Sequence, residues 1–391
     1  MAPSTDRILT THVGSLPRPQ DVVECLFAQD RGEAYDPARF EEVIGHAVEQ
    51  TVRKQAEVGL DVVSDGEMSK ISYATYIRHR LNGFEVGTVP RATPQDLDDY
   101  PEYRDRIAAA GATPKYVRPI CKGPITVKTL EPVRRDIARL EAALAASAER
   151  FSGGVAMGFI TAVSPGTIAV FQPNEHYASH AAYLEALAEA MRSEYELIAA
   201  SGLQLSIDCP DLGMGRHIRF RDADDAEFLR NAALQIEALN HALGNVPADR
   251  VRLHVCWGNY EGPHTRDIPL RKVLPILLGA KPAQLIIEAA NPRHEHEWEL
   301  WAETALPDDK VLVPGVLDTC SNFVEHPELV AQRILRYAGL VGRERVIAGT
   351  DCGFGTFAGF GKVHPAICWA KLEALCEGAR LATRKLWPRG A

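Results

Sequence analysis

The stretch Tyr177–Asp208, YASHAAYLEALAEAMRSEYELIAASGLQLSID, decides the fold. Its first part, Tyr177–Ser201, carries an amphipathic pattern of helical period. Gly202 suits a helix end, and the short β-branched and apolar run Gln204–Asp208 suits a buried strand. The unit is a helix, a glycine and a strand that ends on a carboxylate. The same alternation runs along the whole chain. Strands are predicted at Ile8–Val13, Asp61–Asp65, Val155–Val163, Gln204–Asp208, Val251–Cys256, Gln284–Glu288, Val311–Asp318 and Arg345–Asp351. Helices are predicted between and after them, at Pro37–Val58, Tyr177–Ser201, Ala223–Leu243, Leu270–Leu278, Pro327–Val341 and His364–Gly378. Pro327 and Pro365 suit first helical turns, and Gly59 a helix end.

Eight strand-then-helix units predict an α/β fold, a (β/α)8 TIM barrel. An open parallel sheet is the structural rival. It would be favoured by a Gly-x-Gly-x-x-Gly fingerprint after the first strand, and none is there. Gly353, Gly355, Gly359 and Gly361 follow the last strand and read as a loop over the barrel mouth. The segment from about 82 to 150 breaks the alternation. It holds a polar stretch (Asp96–Asp105), a predicted hairpin (Val117–Thr129) and a charged helix (Pro132–Arg150), and reads as an insertion after strand two. Residues 1–391 are thus expected to form one barrel domain with that insertion.

A chain of 391 residues buries roughly three quarters of its unfolded surface, so disulfide staples are unnecessary. Its eight cysteines are then metal-binding, catalytic or simply buried. The net charge of −9 argues against nucleic acid or an anionic membrane as partner. No stretch reaches 18 apolar residues, and Met1–Arg18 lacks the apolar region of a secretory signal, so a cytoplasmic location is expected.

In such a barrel the active site lies at the carboxyl ends of the strands. Strand five ends in Arg-Leu-His-Val-Cys-Trp. His254 and Cys256 are two apart, so their side chains leave an extended strand on the same side. Glu288 ends strand six, and Cys352 lies just past strand eight. One imidazole, two thiolates and one carboxylate suit tetrahedral Zn2+ better than Mg2+ or Ca2+. Each residue alone has a plainer reading: a core histidine, small buried cysteines, a helix-capping carboxylate. A closed structural zinc would more often use a Cys-x-x-Cys pair, and none occurs.

These motifs resemble the cobalamin-independent methionine synthase family, specifically its catalytic C-terminal barrel. The resemblance runs from Thr11-His-Val-Gly-Ser-Leu-Pro-Arg-Pro to Gly349-Thr-Asp-Cys-Gly. It implies that His254, Cys256, Glu288 and Cys352 are zinc ligands. It implies further that Gly14-Ser15 receives the amino-acid substrate, and that Glu67 and Asp208 bind its ammonium. The implied partners are two small molecules, a thiol and an alkyl donor. The implied reaction transfers a methyl group from a methylated tetrahydrofolate to homocysteine and gives methionine.

The chain departs from the family in places. The second, N-terminal barrel of the full-length family is not in this sequence. Cys320 stands where the family has a histidine assigned to proton delivery, and Met214 falls near an acidic folate contact. Trp257–His264 and Asn291–His296 resemble instead a single-barrel branch that includes epoxyalkane:coenzyme M transferase-like enzymes. That branch implies the alternative of a zinc-dependent thiol transferase acting on an epoxide or another alkyl electrophile. A metal-binding protein without catalysis is the third reading. His264 is a candidate proton donor or a loop histidine without a role; Asp318 and Asp351 are candidate orienting groups. Arg293, His294 and His296 are candidates for an anionic substrate tail. Cys25, Cys121, Cys368 and Cys376 read as bland thiols, and Cys209 is ambiguous beside Asp208.

Overall fold

The computed structural model describes residues 5–33, 35–72, 75–87, 93–109, 119–151, 157–359 and 361–388. Eight parallel strands form the barrel: β1 (Leu9–Thr10), β2 (Val62–Ser64), β3 (Met157–Val163), β4 (Gln204–Asp208), β5 (Val251–His254), β6 (Gln284–Ile287), β7 (Val311–Pro314) and β8 (Ile347–Ala348). Strands β2 to β7 pair in sequence order, and β1 pairs with β8. Bridges at Leu312–Val346 and Gly315–Gly349 join β7 to β8. The seam between β1 and β2 is held by Asp61 N donating to Thr10 O at 3.2 Å and Thr11 Oγ1 donating to Val62 O at 3.1 Å. The predicted (β/α)8 barrel is the fold, and each predicted strand contains one of these strands. Residues 155 and 156 of the predicted third strand lie outside the described residues. Most observed strands are shorter than predicted because their last residues leave the ladder and turn into the mouth.

The helices form for local reasons. Pro37–Val58 starts on Asp36, whose side chain accepts from Ala38 N, and stops at Gly59 with φ 92°. Asp224 caps Asp225–Ala242, and Ser179 caps His180–Ala200, in the same way. Gln20–Asp30 and Pro165–Phe171 are among the helices that come as findings. The first has no side-chain cap. The second is buried on every side, so it shows no amphipathic period. The last helix runs on to Leu386 rather than ending at Gly378.

The segment after β2 holds a correction. Residues 119–127 are one strand, paired antiparallel with Leu81–Val86, not a local hairpin. Gly123-Pro124 sits mid-strand beside a register shift at Gly83, whose φ is +90°, and makes no turn. Residues 117 and 118 of the predicted hairpin lie outside the described residues. The charged helix is Glu131–Ala146 with a short turn at Ala148–Arg150. It packs on Pro37–Val58 and on β3, in the place of a barrel crossover helix. The polar stretch folds as a 3-10 turn, Gln95–Asp99, and a helix, Pro101–Ala109. No described helix is long and apolar enough to cross a membrane.

Candidate metal centre at the barrel mouth

Asp208 and His254 are register partners at the ends of β4 and β5. His254 Nδ1 lies 3.0 Å from Asp208 Oδ1, and its Nε2 lies 3.2 Å from Asp351 O. Two residues on, Cys256 Sγ stands 3.6 Å from Cys352 Sγ. Donor atoms of His254, Cys256 and Cys352 all lie within 4.8 Å of one another, and all three residues are buried. Burial works against charge on His254. The Asp208 hydrogen bond and charge, with Cys256 and Glu288, still raise its pKa to about 9. The paired thiol of Cys352 and burial push the Cys256 thiol well up. Two buried sulfurs and an imidazole aimed at one point are a soft, three-donor nest, and this donor set fits Zn2+.

Glu288 lies outside this three-residue cluster. Its Oε1 accepts from Trp257 N at 2.8 Å and its Oε2 from Asn291 Nδ2 at 2.8 Å. Asp351 is likewise engaged. It accepts from Ala289 N, Ala290 N and Asn291 N at 2.7 to 2.9 Å and so ties the β8 end to the loop after β6.

A cavity of about 190 Å³ opens at the centre, walled on one side by Ser15, Glu67, Asp208, His254, Cys256 and Cys352. Phe171, Met214, Tyr260 and Phe357 make its apolar side, and Leu97 and Ile107 cover it. Gly14 sits behind this wall. A Cβ there would meet Thr161 Cγ2 at 2.4 Å and Glu67 Oε1 at 2.9 Å, so only glycine fits. Glu67 has φ 57°, a conformation rare outside glycine. Arg18 holds it, donating from Nε to Glu67 O at 3.0 Å and placing Nη2 3.7 Å from Oε2. Burial and the neighbouring charge of Asp208 raise the Glu67 pKa to about 7.

His264, Asp318 and Cys320 do not wall the cavity among its described lining residues. His264 Nδ1 lies 2.9 Å from Asp267 Oδ2 and Nε2 lies 3.1 Å from Tyr260 O, so both ring nitrogens are engaged. Cys320 donates Sγ to Asn259 Oδ1 at 3.1 Å, and burial pushes its thiol well up. Asp318 Oδ1 accepts from Cys320 N at 2.9 Å. His294, expected at a substrate tail, is buried instead between Asp267 Oδ2 (3.0 Å) and Glu297 Oε2 (2.7 Å). His217 Nε2 reaches Asp267 Oδ1 at 2.6 Å, so three imidazoles converge on one carboxylate.

Two positions escaped sequence reasoning. Asn259 donates Nδ2 to Gly353 O and Thr356 Oγ1, both at 2.7 Å, and joins the loops after β5, β7 and β8. The Asp267 histidine cluster is the other. Asn259 falls inside the flagged Trp257–His264 run. Nothing local marks His217, whose partner is 50 residues away.

Fold and mouth define an α/β barrel with a buried three-donor His/Cys nest, a candidate metal site, beside buried carboxylates. Comparison with known proteins narrows the class. Residues 8–92 match the family model described as the catalytic domain of cobalamin-independent synthase. The chain is 25% identical over 386 residues to the methionine synthase of Saccharolobus solfataricus, covering 97% of this chain and 96% of that one. It is 23% identical over 385 residues to that of Sulfolobus acidocaldarius, covering 97% and 94%. A solved B12-independent methionine synthase from Shewanella sp. W3-18-1, in complex with selenomethionine, shares the fold with a TM-score of 0.73 at 18% identity, covering 97% of this chain and 99% of that one. The chain is thus similar over nearly its whole length to methionine synthases, and over residues 8–92 to the catalytic domain of cobalamin-independent synthase.

Proposed function

We propose that this protein is a zinc-dependent methyltransferase that methylates the thiol of L-homocysteine to methionine. The convergence of His254, Cys256 and Cys352 donor atoms beside Glu67 and Asp208 carries this reading. His254, Cys256 and Cys352 would hold the metal, with Glu288 the weakest candidate for a fourth ligand. Zinc bound there supplies the charge that keeps a substrate thiol deprotonated near neutral pH. The protein's own groups do the rest. The backbone at Gly14-Ser15 receives the substrate carboxylate. Burial and Asp208 raise the Glu67 pKa to about 7, and the arriving substrate ammonium favours its carboxylate form. Asp208 fixes the His254 ring. The substrate sulfur then attacks the methyl carbon; the S–C bond forms as the bond from carbon to the donor breaks, and the donor leaves with that electron pair. The apolar wall of Phe171, Met214 and Phe357 excludes water from the reacting sulfur.

The test is direct. Purified zinc-loaded protein is given L-homocysteine with methyltetrahydrofolate or methylcobalamin, and methionine is measured by mass spectrometry. Methionine from either donor supports the reading; none from both rejects it.

A second reading is favoured by the donor side. Met214 walls the cavity and the Cys320 thiol is turned onto Asn259. A donor without a folate ring suits that wall, such as an epoxide: the thiolate of a thiol like coenzyme M forms the S–C bond as the C–O bond breaks, and the alkoxide takes its proton from water. Consumption of thiol with an epoxide, abolished in Cys256→Ser, supports it.

A further inference from the structure

We propose that residues 95–109 are a roof, latched by Asp96 on Tyr260, that sets how bulky an alkyl donor reaches the thiol. Three observations carry this. The first is placement: Leu97, Arg104 and Ile107 face the cavity that His254, Cys256 and Cys352 wall from below.

The second is how the roof is attached. The helix Pro101–Ala109 buries no residue, so no apolar face glues it to the barrel. Tyr103 OH donates to Glu261 O, and the turn Gln95–Asp99 before the helix makes further polar bonds to the loops beyond β4 and β5. Gln95 Nε2 donates to Arg221 O at 2.7 Å, Asp99 Oδ2 accepts from Arg266 Nε at 2.9 Å, and Asp98 pairs with Arg221. Exposed ion pairs of this kind each contribute about 1 kcal/mol or less. Segments held this way open locally at low cost.

The third is the buried polar attachment. Tyr260 OH donates to Asp96, 2.9 Å from Oδ1 and 2.8 Å from Oδ2. His217 Nδ1, fully buried and without a hydrogen-bond partner, faces Asp96 Oδ1 at 4.0 Å. Asp96 itself has no exposed surface although it belongs to the roof. Asp96 and its neighbour Leu97 are the two buried residues of the roof; the carboxylate is the latch, and opening the roof withdraws it from Tyr260 and exposes both side chains to water.

Size then selects. With the roof down the cavity holds about 190 Å³, below the roughly 300–1,000 Å³ of pockets that engulf a drug-sized ligand. Homocysteine and a compact alkyl electrophile suit the half-open space beneath the roof. A donor with a large ring system gains room when the roof is raised. This donor arm rests on the methyl transfer proposed above; the latch does not.

The test is hydrogen exchange on the full chain, comparing wild type with Asp96→Asn. Loss of one charge-assisted hydrogen bond accelerates exchange in 101–109 about ten-fold or more. Exchange in Glu131–Ala146 stays at the wild-type rate. Tyr260→Phe, which keeps the ring and removes the hydroxyl, gives the same result and decides the matter should Asp96→Asn loosen the whole fold. Unchanged exchange in 101–109 in Tyr260→Phe overturns the latch. In parallel, turnover of homocysteine is measured with iodomethane as compact donor and methylcobalamin as bulky donor. Asp96→Asn raises the bulky-to-compact ratio of kcat/KM; an unchanged or lowered ratio overturns the size selection. If neither donor gives methionine while exchange in 101–109 accelerates, the methyl-transfer reading falls and the latch stands.

Discussion

Asp208 Oδ1 lies 3.0 Å from His254 Nδ1, at matched positions on neighbouring strands. A carboxylate in that place fixes the imidazole so that Nε2 is the ring nitrogen able to bind a metal. Asp208→Asn keeps the shape and removes the charge. The expected outcome is a zinc affinity lower by about 10–100-fold, the usual cost of losing such a partner. Competition with a chromophoric chelator measures it.

The two sulfurs 3.6 Å apart are the soft half of the nest. Cys256→Ser and Cys352→Ser should each be purified with far less zinc than wild type. Glu288 is different, because its two oxygens already accept from Trp257 N and Asn291 Nδ2. Glu288→Gln should retain zinc. Elemental analysis of the three variants side by side checks the contrast.

Gly14 is a steric requirement. An added methyl group lands 2.4 Å from Thr161 Cγ2 and 2.9 Å from Glu67 Oε1. Gly14→Ala should destabilise the fold by about 1–3 kcal/mol, as overpacked sites do. Because Glu67 must shift, KM for homocysteine should rise more than kcat falls. Urea unfolding and steady-state kinetics report the two effects.

The His294 cluster gives a pH prediction. Burial opposes charge on His294, but hydrogen bonds to Asp267 and Glu297 raise its pKa to about 10, from an ordinary 6.5. A raised histidine stabilises fully below its unfolded pKa and loses that contribution as pH climbs through the folded one. The stability gap between wild type and His294→Asn should therefore be widest below about pH 6.5 and close towards pH 10. Thermal melts across that range test the sign; a gap that widens with rising pH contradicts it.

Much of this was legible because barrels obey a rule of placement. Eight strand-then-helix units mark residues at strand ends as candidates, and His254, Cys256 and Cys352 do come together. The pattern was weakest where the third dimension decides. Val117–Thr129 reads as a hairpin, yet its described strand, Pro119–Val127, pairs with Leu81–Val86. The helix Pro165–Phe171 carried no period because all of it is buried. His264 was a candidate by proximity in sequence, while its ring nitrogens are taken by Asp267 and Tyr260. Nothing in Asp96–Asp105 announced a roof, since its latch and ion-pair partners lie more than 120 residues away.

The central claim is that His254, Cys256 and Cys352 hold a zinc ion that takes the substrate thiol. Zinc X-ray absorption on the purified protein, with and without L-homocysteine, tests it most directly. The account predicts two sulfur neighbours and one imidazole nitrogen in the free protein, and a third sulfur once homocysteine is added. A zinc environment without sulfur, or one that homocysteine leaves unchanged, would contradict it.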